Sequence, residues 1–375
     1  ALPLDSLAAS VNPAGMTEVG SRVDLGVSLF SPSRSYDVSG EGTPDFITGC
    51  NRQTGENCPF SLMEGDEDSD SNYFVIPSFG FNHMLTDHSS IGLSVYGNGG
   101  MNTDYGTTVF ANGTNGRTGI NLEQAFLGFT YAHQLNDKNT IGITPTIAAQ
   151  RFSARGLQGF AVISSDATKL TDNGNDYSYG YGVRVGWLGE INDQLSFGLM
   201  GQSRMYMQKF SKYAGLFANK GEFDIPPTIS FGGSYKVDDK LTIAADVQRI
   251  FYGTVDAISN PLISTTGFNT NIPGTVANAN SLGNSQGVGF GWQNMNIGKL
   301  GVQYQASDDV ALRAGVSHNS AAFTDTEVLF NILAPAVVNT HVSVGGTYDV
   351  APNMSLSLAY THAFNANITG NNVNH

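Results

Sequence analysis

The sequence predicts an all-β fold: an antiparallel, 14-stranded transmembrane β-barrel with a short segment folded into its lumen. The composition points there first, with 45 glycines, 22 Phe, 15 Tyr and only 18 basic and 32 acidic residues among 375; an ordinary soluble domain has roughly 7% Gly and 25% charged residues. Apolar residues also alternate with polar or small ones throughout, the period of a strand with one apolar face. Finally, tight polar turns alternate with long irregular connections, so one end has short turns and the other long loops, as in a barrel with periplasmic turns and extracellular loops. No stretch approaches the roughly 18 uninterrupted apolar residues of a spanning helix, which excludes a helical membrane protein. A water-soluble sandwich rarely needs strands this long and does not sort loop length by end. Closure leaves no strand edge unsatisfied in lipid.

In chain order, Ala8-Ala9-Ser10-Val11-Asn12-Pro13-Ala14-Gly15-Met16 is rich in small residues and contains a proline, which suits a compact turn rather than a strand. Lying ahead of the first strand, on the periplasmic side, residues 1–21 could fold into the lumen as a plug, with 22–375 as the barrel. The first strand is expected over about 22–38, where Val23, Leu25, Val27 and Leu29 alternate with Asp24, Gly26 and Ser28. Six hairpins follow, with turns at Thr86-Asp87-His88, Asn136-Asp137-Lys138, Ile191-Asn192-Asp193, Asp238-Asp239, Ser307-Asp308-Asp309 and Ala351-Pro352-Asn353. Leu241, Ile243, Ala245 and Val247 show the alternation, as do Met354, Leu356, Leu358 and Tyr360. These strands number thirteen. Bacterial single-chain barrels have an even number, so a fourteenth is expected after Phe364. The tail Asn365–His375 is too short and polar to supply it, and the expectation is that this strand is not in the chain. The long connections span about 41–71, 103–118, 154–176, 211–224, 254–289 and 320–338. Tyr73, Phe74, Tyr131, Tyr235, Phe251, Tyr252, Tyr304, Tyr348 and Tyr360 sit toward strand ends, where interfacial girdles belong.

The net charge of −14, with no Lys/Arg cluster, argues against a nucleic-acid partner. Cys50 and Cys58, in a polar loop, read either as a disulfide formed in an oxidising compartment or as two unrelated thiols. No second Cys or His pair lies near for zinc. No signal peptide begins at Ala1, so the numbering of an exported protein starts after processing or later. Glu64, Asp66, Glu67, Asp68 and Asp70 crowd the first long loop. They read as a solvated acidic loop, with a calcium site or a cation bridge to lipopolysaccharide as the alternatives; no metal is assigned. No Walker-type loop is present and the seven histidines are scattered, so no enzyme activity and no cofactor are expected.

Asn12-Pro13-Ala14 immediately before the first strand, Phe210-Ser211-Lys212-Tyr213-Ala214-Gly215-Leu216-Phe217, Gly221-Glu222-Phe223-Asp224-Ile225-Pro226, and Asp308-Asp309 through Arg313-Ala314-Gly315-Val316 together resemble the FadL family of outer-membrane transporters for long-chain fatty acids and other hydrophobic compounds. The resemblance implies a 14-stranded barrel in the outer membrane of a Gram-negative bacterium, plugged by an N-terminal hatch that carries Asn12, Pro13 and Ala14. A kink in the third strand would open a lateral gap through which cargo passes into the membrane. In this chain Ile91–Tyr96 runs into Gly97-Asn98-Gly99-Gly100, which marks either such a bend or a glycine-rich stretch packed near the hatch. Two features depart from the family: the hatch has far fewer residues ahead of Asn12, and the last strand is missing.

The loop 211–219 is the best helix candidate, with Ser211 as N-cap and Tyr213, Leu216 and Phe217 on one face; a second loop carries Leu157, Phe160, Val162 and Ile163. By the resemblance, two such loops form a hydrophobic capture groove; otherwise they pack on one another. The implied partners are hydrophobic small molecules (a fatty acid, a hydrocarbon, or detergent in a crystal), outer-membrane lipid and lipopolysaccharide, with the protein a monomer. A carboxylate cargo would favour a basic neighbour, for which Arg151, Arg155, Lys169, Arg184, Arg204 and Lys209 are the candidates. The competing functions are a general porin, which needs a charged aqueous eyelet, and a structural or adhesive barrel acting through the loop 254–289.

Overall fold

The computed structural model describes residues 2–40, 64–107, 116–262 and 279–370. Its strands are β1 (Arg22–Phe30), β2 (Ser35–Val38), β3 (Gly65–Asp68), β4 (Phe74–Thr86), β5 (Ser89–Asn102), β6 (Gly119–Asn136), β7 (Asn139–Arg155), β8 (Asp176–Asn192), β9 (Leu195–Gln202), β10 (Tyr206–Met207), β11 (Thr228–Lys236), β12 (Leu241–Ile250), β13 (Met295–Ser307), β14 (Val310–Asn319), β15 (Thr340–Ala351) and β16 (Met354–Ala363). A 14-stranded antiparallel sheet runs β1-β4-β5-β6-β7-β8-β9-β11-β12-β13-β14-β15-β16, with β10 paired to β8. This is the wall of the barrel. Among the described residues no helix is long and apolar enough to cross a membrane; the crossing elements are strands.

The wall is inside out relative to a soluble protein. Leu25 is 81% exposed, Val27 74% and Leu358 81%, while Asp24, next to Leu25 on the other face, is half-buried and bonded within the lumen. Apolar residues facing outward avoid the cost of burying polar groups in hydrocarbon.

All six tight turns fall where the alternation breaks, and short side chains close several of them locally. Asn136 Oδ1 accepts the Lys138 N–H at 3.0 Å, Asn192 Oδ1 the Gln194 N–H at 2.9 Å and Asp238 Oδ1 the Lys240 N–H at 2.8 Å. The first strand is shorter than expected. Pro32, which has no N–H to donate, lies just past the end of β1, and Ser35–Val38 pairs instead with Gly65–Asp68 as a separate hairpin outside the wall. That hairpin holds Asp66, Glu67 and Asp68; among the described residues no cluster of acidic, His or Cys side chains has the geometry to hold a metal ion. The fourteenth member of the sheet is the two-residue β10 rather than a further long strand, and Phe364–Gly370 adds none. Among the described residues β1 and β16 are not paired with each other, and β16 is exposed along its whole length.

Candidate functional site

The N-terminal segment turns twice, through 3₁₀ turns at Ser6–Ser10 and Pro13–Thr17. Asp5 and Asn12 each accept a backbone N–H of the turn that follows, and Pro13 occupies the first helical position, where its missing N–H costs nothing. The segment lies within the lumen, mainly against β4–β8. Asn12 Nδ2 donates to the Trp187 carbonyl at 3.0 Å, and Asn82 Nδ2 donates to the carbonyls of Met16 and Gly20, both at 2.8 Å. Close approach demands glycine beneath it: a Cβ on Gly142 would stand 2.5 Å from the Ala14 nitrogen, and one on Gly186 2.8 Å from Pro13 Cδ. Asn12, Pro13 and Ala14 thus sit together on the inner wall.

Above this segment the inner face of β5–β8 is layered. Nearest the plug, Ala8, Ala9 and Met16 pack with Ala132. Next come small hydroxyl residues such as Thr130 and Thr144, whose hydroxyls bond at 2.9 Å. A compact apolar group follows: Phe126, Ala148, Met205, Met207 and Ile225, with Tyr96 against it. A row of amides lies above. Asn98 Nδ2 donates to Gln124 Oε1 at 3.0 Å, Gln124 Nε2 to Gln150 Oε1 at 3.4 Å, and Gln150 Nε2 to the Phe223 carbonyl at 2.9 Å. Sequence reasoning missed this row; glutamines at facing positions of paired inward strand faces were the available signal.

The glycine cluster lies just outward of the middle apolar group, level with the amide row: Gly97 faces Ala125 and Gly99 faces Gln124. β5 follows β6 throughout, but the register slips between Gly97 and Gly99 and leaves Asn98 as the extra residue of a bulge, which bends a strand and raises its twist. On the other side β5 pairs with β4 only as far as Phe79↔Val95, although β4 continues to Phe74 against β1. From Tyr96 outward the β4–β5 seam therefore has no ladder hydrogen bonds. Gly97, Gly99 and Gly100 lie along this unpaired stretch, with the Ile76 side chain beside Gly97.

Leu157, Phe160, Ile163, Tyr213, Leu216 and Phe217 come together in one apolar cluster and are all buried; the Val162 side chain lies outside what the structure describes. The loops pack on one another. Phe152 of β7 stands 4.8 Å from the ring of Tyr213 and 4.7 Å from that of Phe217. The cluster extends further than expected, since Phe160 meets Phe330 at 5.4 Å, Phe330 meets Phe290 at 5.0 Å, and Trp292 joins them. Residues 211–219 form no continuous helix. Ser211 is the first residue of a 3₁₀ turn rather than its cap, Gly215 lies against the Asp166 backbone with no room for a Cβ, and Asn219 and Lys220 take positive φ. Packing onto the neighbouring loop overrides helix propensity there.

The structure separates the six basic candidates. Arg151 pairs with Glu123 at 2.5 Å, Arg155 with Asp104 at 2.9 Å, Lys169 with Asp166 at 3.9 Å and Arg204 with Asp224 at 3.4 Å. Lys209 is exposed and donates to the Asn219 carbonyl. Arg184 alone of the six is buried in the lumen, at 4% exposure. Cys50 and Cys58 lie outside the described residues. At the periplasmic mouth, burial and the nearby Glu190 push the Glu18 carboxyl up to about 7. The two line a cavity of about 140 Å³ with Asp137 and Lys138.

A family model described as "Outer membrane protein transport protein (OMPP1/FadL/TodX)" matches residues 1–375. The chain belongs to this family. The resemblance read from the sequence is borne out, and the FadL/TodX family's members are transport proteins rather than enzymes. Among solved structures, the Pseudomonas putida toluene transporter TodX is 16% identical with a TM-score of 0.64, over 96% of this chain and 88% of that one. The Ralstonia pickettii toluene transporter TbuX is 16% identical with a TM-score of 0.62, over 97% and 90%. A Pseudomonas aeruginosa FadL homologue is 15% identical with a TM-score of 0.66, over 97% and 86%. At these identities the likeness establishes the fold, a FadL/TodX-type barrel. No curated protein sequence matches the chain.

Proposed function

We propose that this FadL/TodX-family protein is a passive channel for hydrophobic molecules, long-chain fatty acids or hydrocarbons. The outer-loop cluster of Leu157, Phe160, Ile163, Tyr213, Leu216 and Phe217 captures cargo, and Gly97–Gly100 releases it sideways into the outer membrane. Asn12, Pro13 and Ala14 form part of a plug that closes the periplasmic side. The observation that carries this reading is the end of the β4–β5 seam at Val95, level with the apolar group of Phe126, Met205 and Ile225. A hydrophobic side chain or cargo can meet lipid there without crossing a complete strand ladder. An apolar cluster in the outer loops and a second apolar group at that level stand on either side of the amide row, and below them lie polar side chains and the plug.

Such a path needs little polar chemistry. Each methylene moved from water into an apolar site gains about 0.8 kcal/mol, so buried rings bind alkyl chains and aromatic rings alike. Capture requires the packed loops to part, and the aromatic pairs at their junction are what cargo would replace. The TodX and TbuX structures are of toluene transporters, which favours aromatic hydrocarbons within the proposed class. The test is uptake of labelled toluene and of a labelled long-chain fatty acid by cells producing the protein. Gly97→Val, Gly99→Val and Gly100→Val together, or deletion of residues 12–14, should cut uptake severalfold while the barrel still folds. Uptake at the parent rate in both variants overturns the proposal, and large steady conductance in planar bilayers would point to a general porin.

A further inference from the structure

Arg184 projects into the lumen from β8 and joins three elements. Nη1 donates to the Ala9 carbonyl of the N-terminal segment at 3.2 Å and to the Tyr96 hydroxyl of β5 at 2.7 Å; Nη2 donates to Gln202 Oε1 of β9 at 2.5 Å. The guanidinium carbon also sits 5.9 Å from the centre of the Tyr96 ring. All three acceptors are neutral, and among the described residues Nε has no hydrogen-bond partner. A buried cation held by neutral acceptors recovers its desolvation poorly, so it is a costly way merely to stabilise a wall. Its location explains it better. Tyr96 is the first residue of β5 past the end of the β4–β5 seam and the last before the glycine cluster. With no ladder to β4, that end of β5 is held by β6 and by Arg184.

We infer that Arg184 is a positioning residue that couples docking of the N-terminal segment to the placement of β5 at the bulge, so that each favours the other. This rests on the reading of Gly97–Gly100 as the lateral exit. The planar fork is what allows one side chain to reach three elements at once, and an ammonium on Arg184→Lys would not span them. Undocking the segment withdraws the Ala9 carbonyl and leaves the guanidinium free to turn away from Tyr96. Releasing Tyr96 in turn weakens the seat of Ala9. Coupling is reciprocal by thermodynamic necessity, so a change at Tyr96 must be felt in a segment with which it shares no hydrogen bond.

The experiment measures amide hydrogen exchange of the full chain in detergent micelles, read in residues 8–18 and in β5 from 97 to 102, for the parent, Tyr96→Phe, Arg184→Met and the double variant. Tyr96→Phe keeps the ring and removes only the acceptor. Exchange in residues 8–18 should rise about tenfold in Tyr96→Phe, within the range typical of coupled sites, and the double variant should be no faster than Arg184→Met. Barrel strands β12–β15 should exchange as in the parent. Unchanged exchange of residues 8–18 in Tyr96→Phe, or effects of the two substitutions that multiply, overturns the proposal. If Arg184→Met does not assemble, Tyr96→Phe alone decides. No cargo enters this measurement, so loss of coupling refutes the Arg184 role whatever uptake does, and normal coupling without uptake refutes only the transport reading.

Discussion

Replacing Asn12 by alanine tests how the N-terminal segment is held. Its Oδ1 accepts the Ala14 N–H at 3.1 Å as a helix cap, and its Nδ2 donates to the Trp187 carbonyl at 3.0 Å. Loss of a capping side chain costs about 1 kcal/mol, and loss of one net hydrogen bond about as much again. Together these amount to about 2 kcal/mol, roughly thirtyfold in the docked-to-undocked ratio at 1.36 kcal/mol per decade. The Asn12 side chain reaches only the carbonyls of Trp187 and Leu199 on β8 and β9, whose pairing continues on both sides of that point, so the barrel itself keeps its stability. Cleavage by thermolysin tracks the population of the open form when opening is fast, and folded strands resist it. The N-terminal segment of Asn12→Ala should therefore be cut about thirtyfold faster, read by intact mass, with the barrel's unfolding midpoint unchanged. A rate within threefold of the parent, or a midpoint that falls in parallel, refutes the reasoning.

Three further outcomes are expected. Phe160→Ala should loosen the outer-loop cluster by about 3–5 kcal/mol, the usual cost of emptying a core phenylalanine site; proteolysis within residues 157–170 should accelerate at least a hundredfold, and an unchanged rate would show that the cluster is not cooperative. Val344→Arg should cost about 2–4 kcal/mol in folding into bilayers if the site lies near the midplane, whereas Ser343→Arg, on the lumen face beside Thr361, should cost under half of that; equal costs would reverse the assignment of faces. Glu18 should make docking pH-dependent. Its carboxyl goes from its ordinary 4.5 to about 7 when docked, so the docked state holds the proton more tightly. Docking is then strongest below about 4.5, weakens as pH rises, and is weakest above 7. A nitroxide at Val11 should report growing mobility across that window in the parent and a flat profile in Glu18→Gln; coincident profiles would remove Glu18 from the account.

What was legible in the sequence was local. The turns could be read because Asn136, Asn192 and Asp238 close them with their own side chains within three residues. The direction of Arg184 could be read from parity, since Val183 and Val185 flank it and Val185 faces lipid at 49% exposure. Its partner could not, because the Ala9 carbonyl is 175 residues away. The β2–β3 hairpin was hidden for a related reason: three consecutive acidic residues give no apolar alternation, and only pairing with Ser35–Val38 makes them a strand. The turn at Ser211 had the composition of a helix start, but the deciding contact was Gly215 against Asp166 in another loop. The family resemblance supplied what local pattern could not, namely that the Asn-Pro-Ala segment belongs inside the barrel.

The amide row from Asn98 through Gln124 and Gln150 to the Phe223 carbonyl bears on how such channels can be remodelled. Gln150 is only 2% exposed, and its last acceptor is a backbone carbonyl contributed by an outer loop. A loop transplanted from a relative with other cargo must offer a carbonyl at the same point, or it leaves a buried donor stranded at a cost of about 1–3 kcal/mol. Outer loops and wall strands are therefore not interchangeable parts: whoever exchanges the outer loops of this barrel also has to refit the strands beneath them.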